Sequence, residues 1–183
     1  MQIKRVVTAV DEHGKSVVQE DAVVPPVNAD LFPGTDIWVL WGTEGELRAP
    51  ARKPARNEAG TFFPGPRGTR FGVFTFPPEQ RDAPPPEMPD EATMAKLAAE
   101  VEEQLPGLLG VFEPDHPGMH STPTVDYCVV LQGTLTLELD DGAEVELTPG
   151  SCIVQNGTRH AWHNYGAQTA ILAFVIVDAR EDY

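Results

Sequence analysis

Apolar residues in this chain recur at the short spacing of strands far more often than at the spacing of helices. Residues 3–9 and 16–24 are rich in β-branched side chains and are joined by the turn-type cluster DEHGK, which predicts an N-terminal hairpin. His13 falls in that turn and reads as a surface residue. DIWVLWGT (36–43) and TRFGVFTF (69–76) are two more strand candidates, the second ending at Pro77-Pro78. From residue 124 the chain becomes a run of short segments: TVDYCVVLQ, GTLTLELDDG, AEVELTPG, SCIVQNG, HAWHNYG and TAILAFVIVD. Breaks at DDG, PG, NG and YG between them predict an antiparallel sandwich or barrel.

One segment keeps helical period. Asp90 can cap it, Met94, Leu97, Ala98, Val101 and Leu105 make an apolar stripe, and Pro106 ends it, so a helix over 91–106 is expected to pack on the barrel. Before it, PPEQRDAPPPEMPD (77–90) reads as an extended connector, because proline fixes φ and biases its predecessor away from helix. The expected layout is one structural domain. Residues 1–90 supply strands, a basic loop and the connector, 91–106 the helix, and 107–183 the barrel core.

Composition narrows the possible partners. With 183 residues the chain can bury one real core, and 18 prolines with 16 glycines favour turns over long helices. A formal net charge of −15 repels phosphate backbones and anionic lipid surfaces, which argues against nucleic acid and membrane as partners. The exception is local: Arg48, Arg52, Lys53, Arg56, Arg67 and Arg70 face only Glu58 within residues 48–70. That block reads as a solvated face or an arm docked on the chain's own acidic body, ahead of an anion-binding lid, for which no phosphate-cradle spacing is present. Cys128 and Cys152 sit in apolar runs without C-x-x-C spacing, as small core residues do. MQIKRVVTAV lacks a signal-like apolar stretch and no run suggests a membrane span, so a cytoplasmic protein is expected. The hairpin and the tryptophans of 36–43 exceed what a small barrel needs, and the surplus predicts a homodimer.

The candidate chemistry lies in MHSTPTVDYCVVLQG, residues 119–133, where a strand carries a histidine and an acid. Side chains alternate across a strand, so His120, Thr122, Thr124 and Asp126 share one face if no bulge intervenes. Asp126-x6-Gly133 follows His120, and Gly157-x2-His160-x3-Asn164 follows Gly150. In these spacings the chain resembles the cupin superfamily, specifically its small single-barrel branch. That family is marked by G-x5-H-x-H-x3-4-E-x6-G and G-x5-P-x-G-x2-H-x3-N. The resemblance covers roughly residues 116–179 and implies an all-β jelly-roll barrel, here with an N-terminal hairpin extension and one peripheral helix. Thr122 stands at the family's second histidine, Asp126 at its glutamate and Gln155 at its proline, and the leading glycine is missing at its usual distance.

The resemblance further implies that His160 joins His120 and Asp126 at one cavity. Two imidazoles and a carboxylate would make a catalytic and metal-binding set, His120, Asp126 and His160, suited to a divalent ion such as Fe, Mn, Ni or Zn. The other reading of the same residues is a metal-free polar pocket in which carboxylate and imidazole bond each other. His163 has opposite parity to His160 and should point away, while His116 sits in a loop. Trp162 reads as packing and Asn164 as satisfying a turn. The expected function is a metal-dependent small-molecule enzyme, a lyase, decarboxylase or dehydratase acting on an oxygenated carboxylate or keto/enol metabolite. The alternatives are an Fe-dependent dioxygenase and a non-catalytic ligand-binding or sensor barrel.

Overall fold

The computed structural model describes residues 1–52, 57, 59–81 and 89–179. Its strands are β1 (Ile3–Val10), β2 (Ser16–Val24), β3 (Ile37–Thr43), β4 (Thr69–Phe76), β5 (Thr124–Gln132), β6 (Leu135–Glu138), β7 (Glu144–Leu147), β8 (Cys152–Asn156), β9 (Ala161–His163) and β10 (Ala170–Asp178). Among the described residues one α-helix, α1 (Glu91–Gln104), lies between β4 and β5. The pairings form a five-stranded sheet ordered β3-β4-β10-β5-β8, a three-stranded sheet ordered β7-β6-β9, and the separate β1-β2 ladder. All of these pairings are antiparallel, as the short segments and close turns require.

The two larger sheets close a jelly-roll barrel on one core. Cys128, Val130, Leu172, Phe174 and Ile176 from one sheet belong to the same buried cluster as Leu135, Leu137 and Leu147 from the other. Val101 and Leu105 place the stripe of α1 in that cluster. Asp90 caps the helix by accepting from the Thr93 amide at 2.9 Å, as its position suggests.

Three expectations need adjustment. β3 and β4 are integral to the five-stranded sheet, with β4 paired directly to β10, so the barrel draws on residues well before 107. Pattern alone does not reveal which distant segments pair, because an antiparallel partner need not be a sequence neighbour. Of the two tryptophans of β3, Trp38 does not belong to a surplus surface. Trp38 is 1% exposed and donates from Nε1 to the Val24 carbonyl at 3.0 Å, beneath the chain's own N-terminal hairpin. Cys152 is exposed, whereas Cys128 is a core residue as expected.

The basic block is also more divided than its composition suggests. Arg70 is fully buried: its guanidinium pairs with Glu44 and donates to the Thr61 carbonyl at 2.8 Å, the Thr69 carbonyl at 2.8 Å and the Thr43 carbonyl at 3.2 Å. It is a structural cation joining the end of β4 to the loop before it. Arg48 stays at the surface beside Glu46. Lys53, Arg56 and Glu58 lie outside the described residues, as does half of the connector, residues 82–88.

Candidate functional site

The barrel encloses a cavity of about 360 Å³. His120, Thr122, Asp126 and His160 all line it. The route to this arrangement is local. His120 precedes β5 and makes a two-way backbone bridge with His160, each amide donating to the other's carbonyl at 2.9 Å. The bridge sets the two imidazoles against each other with ring centroids 4.2 Å apart. Six residues on, β5 carries Asp126 with the same parity. Gly157 makes the close approach possible: its φ is +64°, and a Cβ there would meet the Thr122 carbonyl at 2.8 Å. Gly133 serves the other end of β5, where a Cβ would lie 2.7 Å from Ala170 Cα.

Backbone carbonyls fix both histidine tautomers. His120 Nδ1 lies 3.0 Å from the Gly118 carbonyl and His160 Nδ1 lies 2.8 Å from the Thr158 carbonyl. A carbonyl only accepts, so Nδ1 carries the proton and Nε2 holds the lone pair in each neutral ring. Burial lowers the pKa of His120, and burial reinforced by the charge of His120 pushes His160 down to about 4. Both rings are therefore neutral at pH 7.

Asp126 has the opposite problem. Burial pushes its carboxyl up to about 6, with a Thr124 hydroxyl contact offsetting part of the effect. Its Oδ1 is buried and has no hydrogen-bond partner. An ionised carboxylate in that position wants a donor, and the neighbouring threonines are engaged with each other: Thr124 Oγ1 donates to Thr122 Oγ1 at 2.8 Å. Cys128 on the same strand lines the cavity as an inert thiol, pushed up to about 12 by burial and by the adjacent Asp126.

These residues do not fit the metal centre that the spacing suggested. Among the described residues, no three His, Cys, Asp or Glu side chains are grouped so that they could hold an ion. The two imidazoles come together, Thr122 occupies the second histidine position with a hydroxyl already bonded, and Asp126 shares the cavity without completing a cluster. Gln155, at the proline position, plays a structural part, since its Nε2 donates to the same Thr158 carbonyl that orients His160.

His163 points away from the cavity wall, as its parity requires, and anchors a second polar group. Its Nδ1 and Nε2 each lie 2.8 Å from a carboxylate, Glu79 Oε1 and Glu138 Oε2. Those two acceptors, Glu79 first, raise its pKa against the cost of burial. His116 Nε2 lies 3.5 Å from the other Glu138 oxygen. This group ties the Pro77–Glu79 stretch, which lines the cavity, to β9, helped by the Glu79 amide donating to the Asn164 carbonyl at 2.8 Å. Asn164 satisfies its turn as expected, donating to the Phe76 and Gln168 carbonyls and accepting from the Gly166 amide.

The rest of the lining was not readable as a site. Seven phenylalanines and Trp162 face the cavity, and Phe32, Phe62, Phe63, Phe74 and Phe76 come from the N-terminal half. Phe62, Phe74 and Phe174 pack with ring centroids 5.4–6.0 Å apart. Aromatic residues in strands signal a core, and only the pairing of β4 with β10 turns these into the wall of a pocket.

Comparison with known proteins adds a family and little more. Residues 109–177 match the family described as Cupin domain. The chain is 39% identical over 70 residues to oryzines biosynthesis cluster protein J of Aspergillus oryzae, covering 36% of this chain and 39% of that protein. It is 34% identical over 68 residues to the cupin-domain-containing oxidoreductase fogC of Aspergillus ruber, covering 36% of this chain and 34% of that one. The matches thus span less than half the length of these relatives. Among solved structures, a putative ethanolamine utilization protein Q from Salmonella typhimurium aligns over 98% of this chain and 99% of its own, at 9% identity and a TM-score of 0.45.

Proposed function

The chain carries a cupin domain, and from that premise we propose that it is a small-molecule enzyme whose cavity performs acid–base chemistry on an oxygenated metabolite. The observation that carries this reading is Asp126, a cavity carboxyl with an orphaned oxygen and a pKa raised to about 6. A base is most effective when its pKa lies near the working pH, because it is then both ionised and able to hold a proton. In this reading Asp126 takes a proton from the carbon beside a carbonyl. It returns that proton to a second carbon, giving an isomer, or to a departing hydroxyl, giving water and an unsaturated product. The Nε2 atom of one imidazole, His120 or His160, accepts from the substrate's hydroxyl and holds it in register. The loss of water lies within the lyase and dehydratase chemistry expected of the sequence, and the isomerisation shares its first step. The names of the two relatives, a biosynthesis cluster protein and an oxidoreductase, support small-molecule metabolism as the setting.

The test is deuterium wash-in from D2O at the carbon next to the carbonyl, followed by NMR across a panel of apolar hydroxyketones. Wild type should catalyse exchange, and Asp126→Asn should lower the rate about 100-fold, the low end of what a positioned base contributes. Equal exchange by the variant would remove Asp126 from the mechanism. A barrel that binds without catalysing is favoured by the missing third ligand, and binding without exchange of any panel member would establish it.

We also propose that the chain forms a homodimer through the outer face of the five-stranded sheet. Trp41, Phe71, Val175, Tyr127 and Val154 are paired in register across all five strands and form one apolar row. Phe71, Tyr127 and Val154 on this row are exposed, Tyr127 by 53%. Two copies each carrying −15 repel except over uncharged surface, and this row provides it.

A further inference from the structure

We infer that the cavity selects an uncharged, hydroxyl-bearing aromatic ligand, a phenol or enol on an apolar body, and rejects carboxylates. This selectivity deepens the proposed function: it rests on the cavity as the small-molecule site and concerns what that site admits. It follows from the donors and charges that the wall lacks.

Among the described residues lining the cavity, none is lysine or arginine, and the charged groups are Asp126 and Glu79. The nearby arginines are committed elsewhere. Arg70 is saturated by Glu44 and the carbonyls around it, and Arg159 bonds both oxygens of Glu113 and one of Asp140. An anion entering the cavity would lose its hydration and meet no cation in return. It would also meet Asp126. The expectation of a carboxylate metabolite, drawn from the motif, has no partner in this wall.

Hydrogen-bonding polarity narrows the choice further. The cavity is lined by His120 and His160, whose Nε2 atoms each hold a lone pair because Nδ1 donates to a backbone carbonyl, and by Asp126, whose Oδ1 has no hydrogen-bond partner. These are acceptors, so the complementary ligand group is an O–H donor. An ether or a ketone alone would leave them unpaired, and a site built on buried acceptors discriminates strongly against ligands lacking the donor. The remaining wall sets the body of the ligand. Phe62, Phe74, Phe112, Trp162 and Phe174 surround the space with ring faces and edges suited to another flat ring.

Three probes of one size separate these statements: 2-naphthol, 2-methoxynaphthalene and 2-naphthoate, titrated calorimetrically into the full chain at pH 8. The expected order is naphthol at least tenfold tighter than either other probe. Asp126→Asn should bring naphthoate affinity up at least threefold, because the like charge is gone. Naphthoate binding as tightly as naphthol would overturn the inference, with loss of that binding on chelation pointing to a bound metal as the cause. Methoxynaphthalene binding equally would show that the acceptors select nothing, and binding of none of the three would overturn the inference outright. These outcomes read binding alone. Loss of deuterium exchange in Asp126→Asn would thus leave the catalytic reading standing even if the ligand class proved wrong, and the reverse holds.

Discussion

Replacing Asp126 by asparagine should stabilise the protein, and by an amount that depends on pH. The perturbation keeps shape and volume while removing an ionisable group whose carboxyl sits at about 6 instead of its ordinary 3.8. At 1.36 kcal/mol per pH unit, that displacement corresponds to about 3 kcal/mol against the ionised form in the fold. The sign follows from linkage. A carboxyl whose folded pKa is raised supports folding fully below 3.8, and that support is lost as pH rises through about 6. At pH 8 the wild type therefore carries the whole cost, about 3 kcal/mol, and at pH 4 only about 0.5 kcal/mol of it. The asparagine variant has no such dependence, although its amide adds a constant offset of its own.

The quantity to measure is the difference in urea unfolding free energy between Asp126→Asn and wild type, taken from pH 4 to pH 8. It should rise in favour of the variant by about 2 kcal/mol across that range, with the steepest change between pH 4 and pH 6. A flat difference would refute the claim that burial dominates at Asp126. A slope of the opposite sign would mean that the carboxylate is held by a positive partner, as it would be if the site took up a cation in solution.

Three further outcomes test the frame around the cavity. Arg70→Met should cost at least about 3 kcal/mol in the same unfolding assay, because it removes the guanidinium from Glu44 and leaves several carbonyls without their donor, and Arg70→Lys should not restore it. Gly72→Ala should cost about 1–3 kcal/mol, because a Cβ there would lie 2.3 Å from both Phe174 Cζ and the Trp38 carbonyl oxygen, and the backbone contact cannot yield; an unchanged midpoint would contradict that packing. Tyr127→Glu should convert a dimer to a monomer in light scattering with deuterium exchange unaffected, whereas a wild-type monomer at micromolar concentration would remove the proposed interface.

Local pattern carried much of the fold. Strands β1, β2, β4 and β5 run within a residue or so of where the sequence placed them, since hydrophobic runs bounded by Gly, Pro and Asp turns leave few other solutions. The short strands of the second sheet were harder. The segment 133–142 yields only Leu135–Glu138 before a turn in which Asp141 takes a φ of 58°, and the segment containing His163 yields only Ala161–His163. There polar residues alternate within and beyond the strands, so the ends follow from pairing partners rather than composition. The burial of Arg70 lay beyond sequence reading altogether. A basic loop suggests solvent, and only the convergence of four carbonyls and Glu44 makes an interior guanidinium stable.

At the site, the same residues were legible and their relationship was not. Parity puts His120 and Asp126 on one face, and the structure places both on the cavity wall with His160. Parity does not say what each group needs. The imidazoles have their needs met from behind, through carbonyls two residues earlier in the chain, so they present lone pairs to the cavity. Asp126 has only the Thr124 hydroxyl contact and keeps Oδ1 unpartnered. Threonine at position 122 is what separates the two cases. A histidine there would bring a third imidazole toward the pair, whereas the hydroxyl instead accepts from Thr124 and closes a small bonded unit beside the carboxyl. The departure from the family motif thus removes a ligand, and Asp126 Oδ1 is left without a hydrogen-bond partner of its own. Each uncharged O–H group on a ligand would satisfy one of these three acceptors without adding charge to a wall that has no cation to balance it.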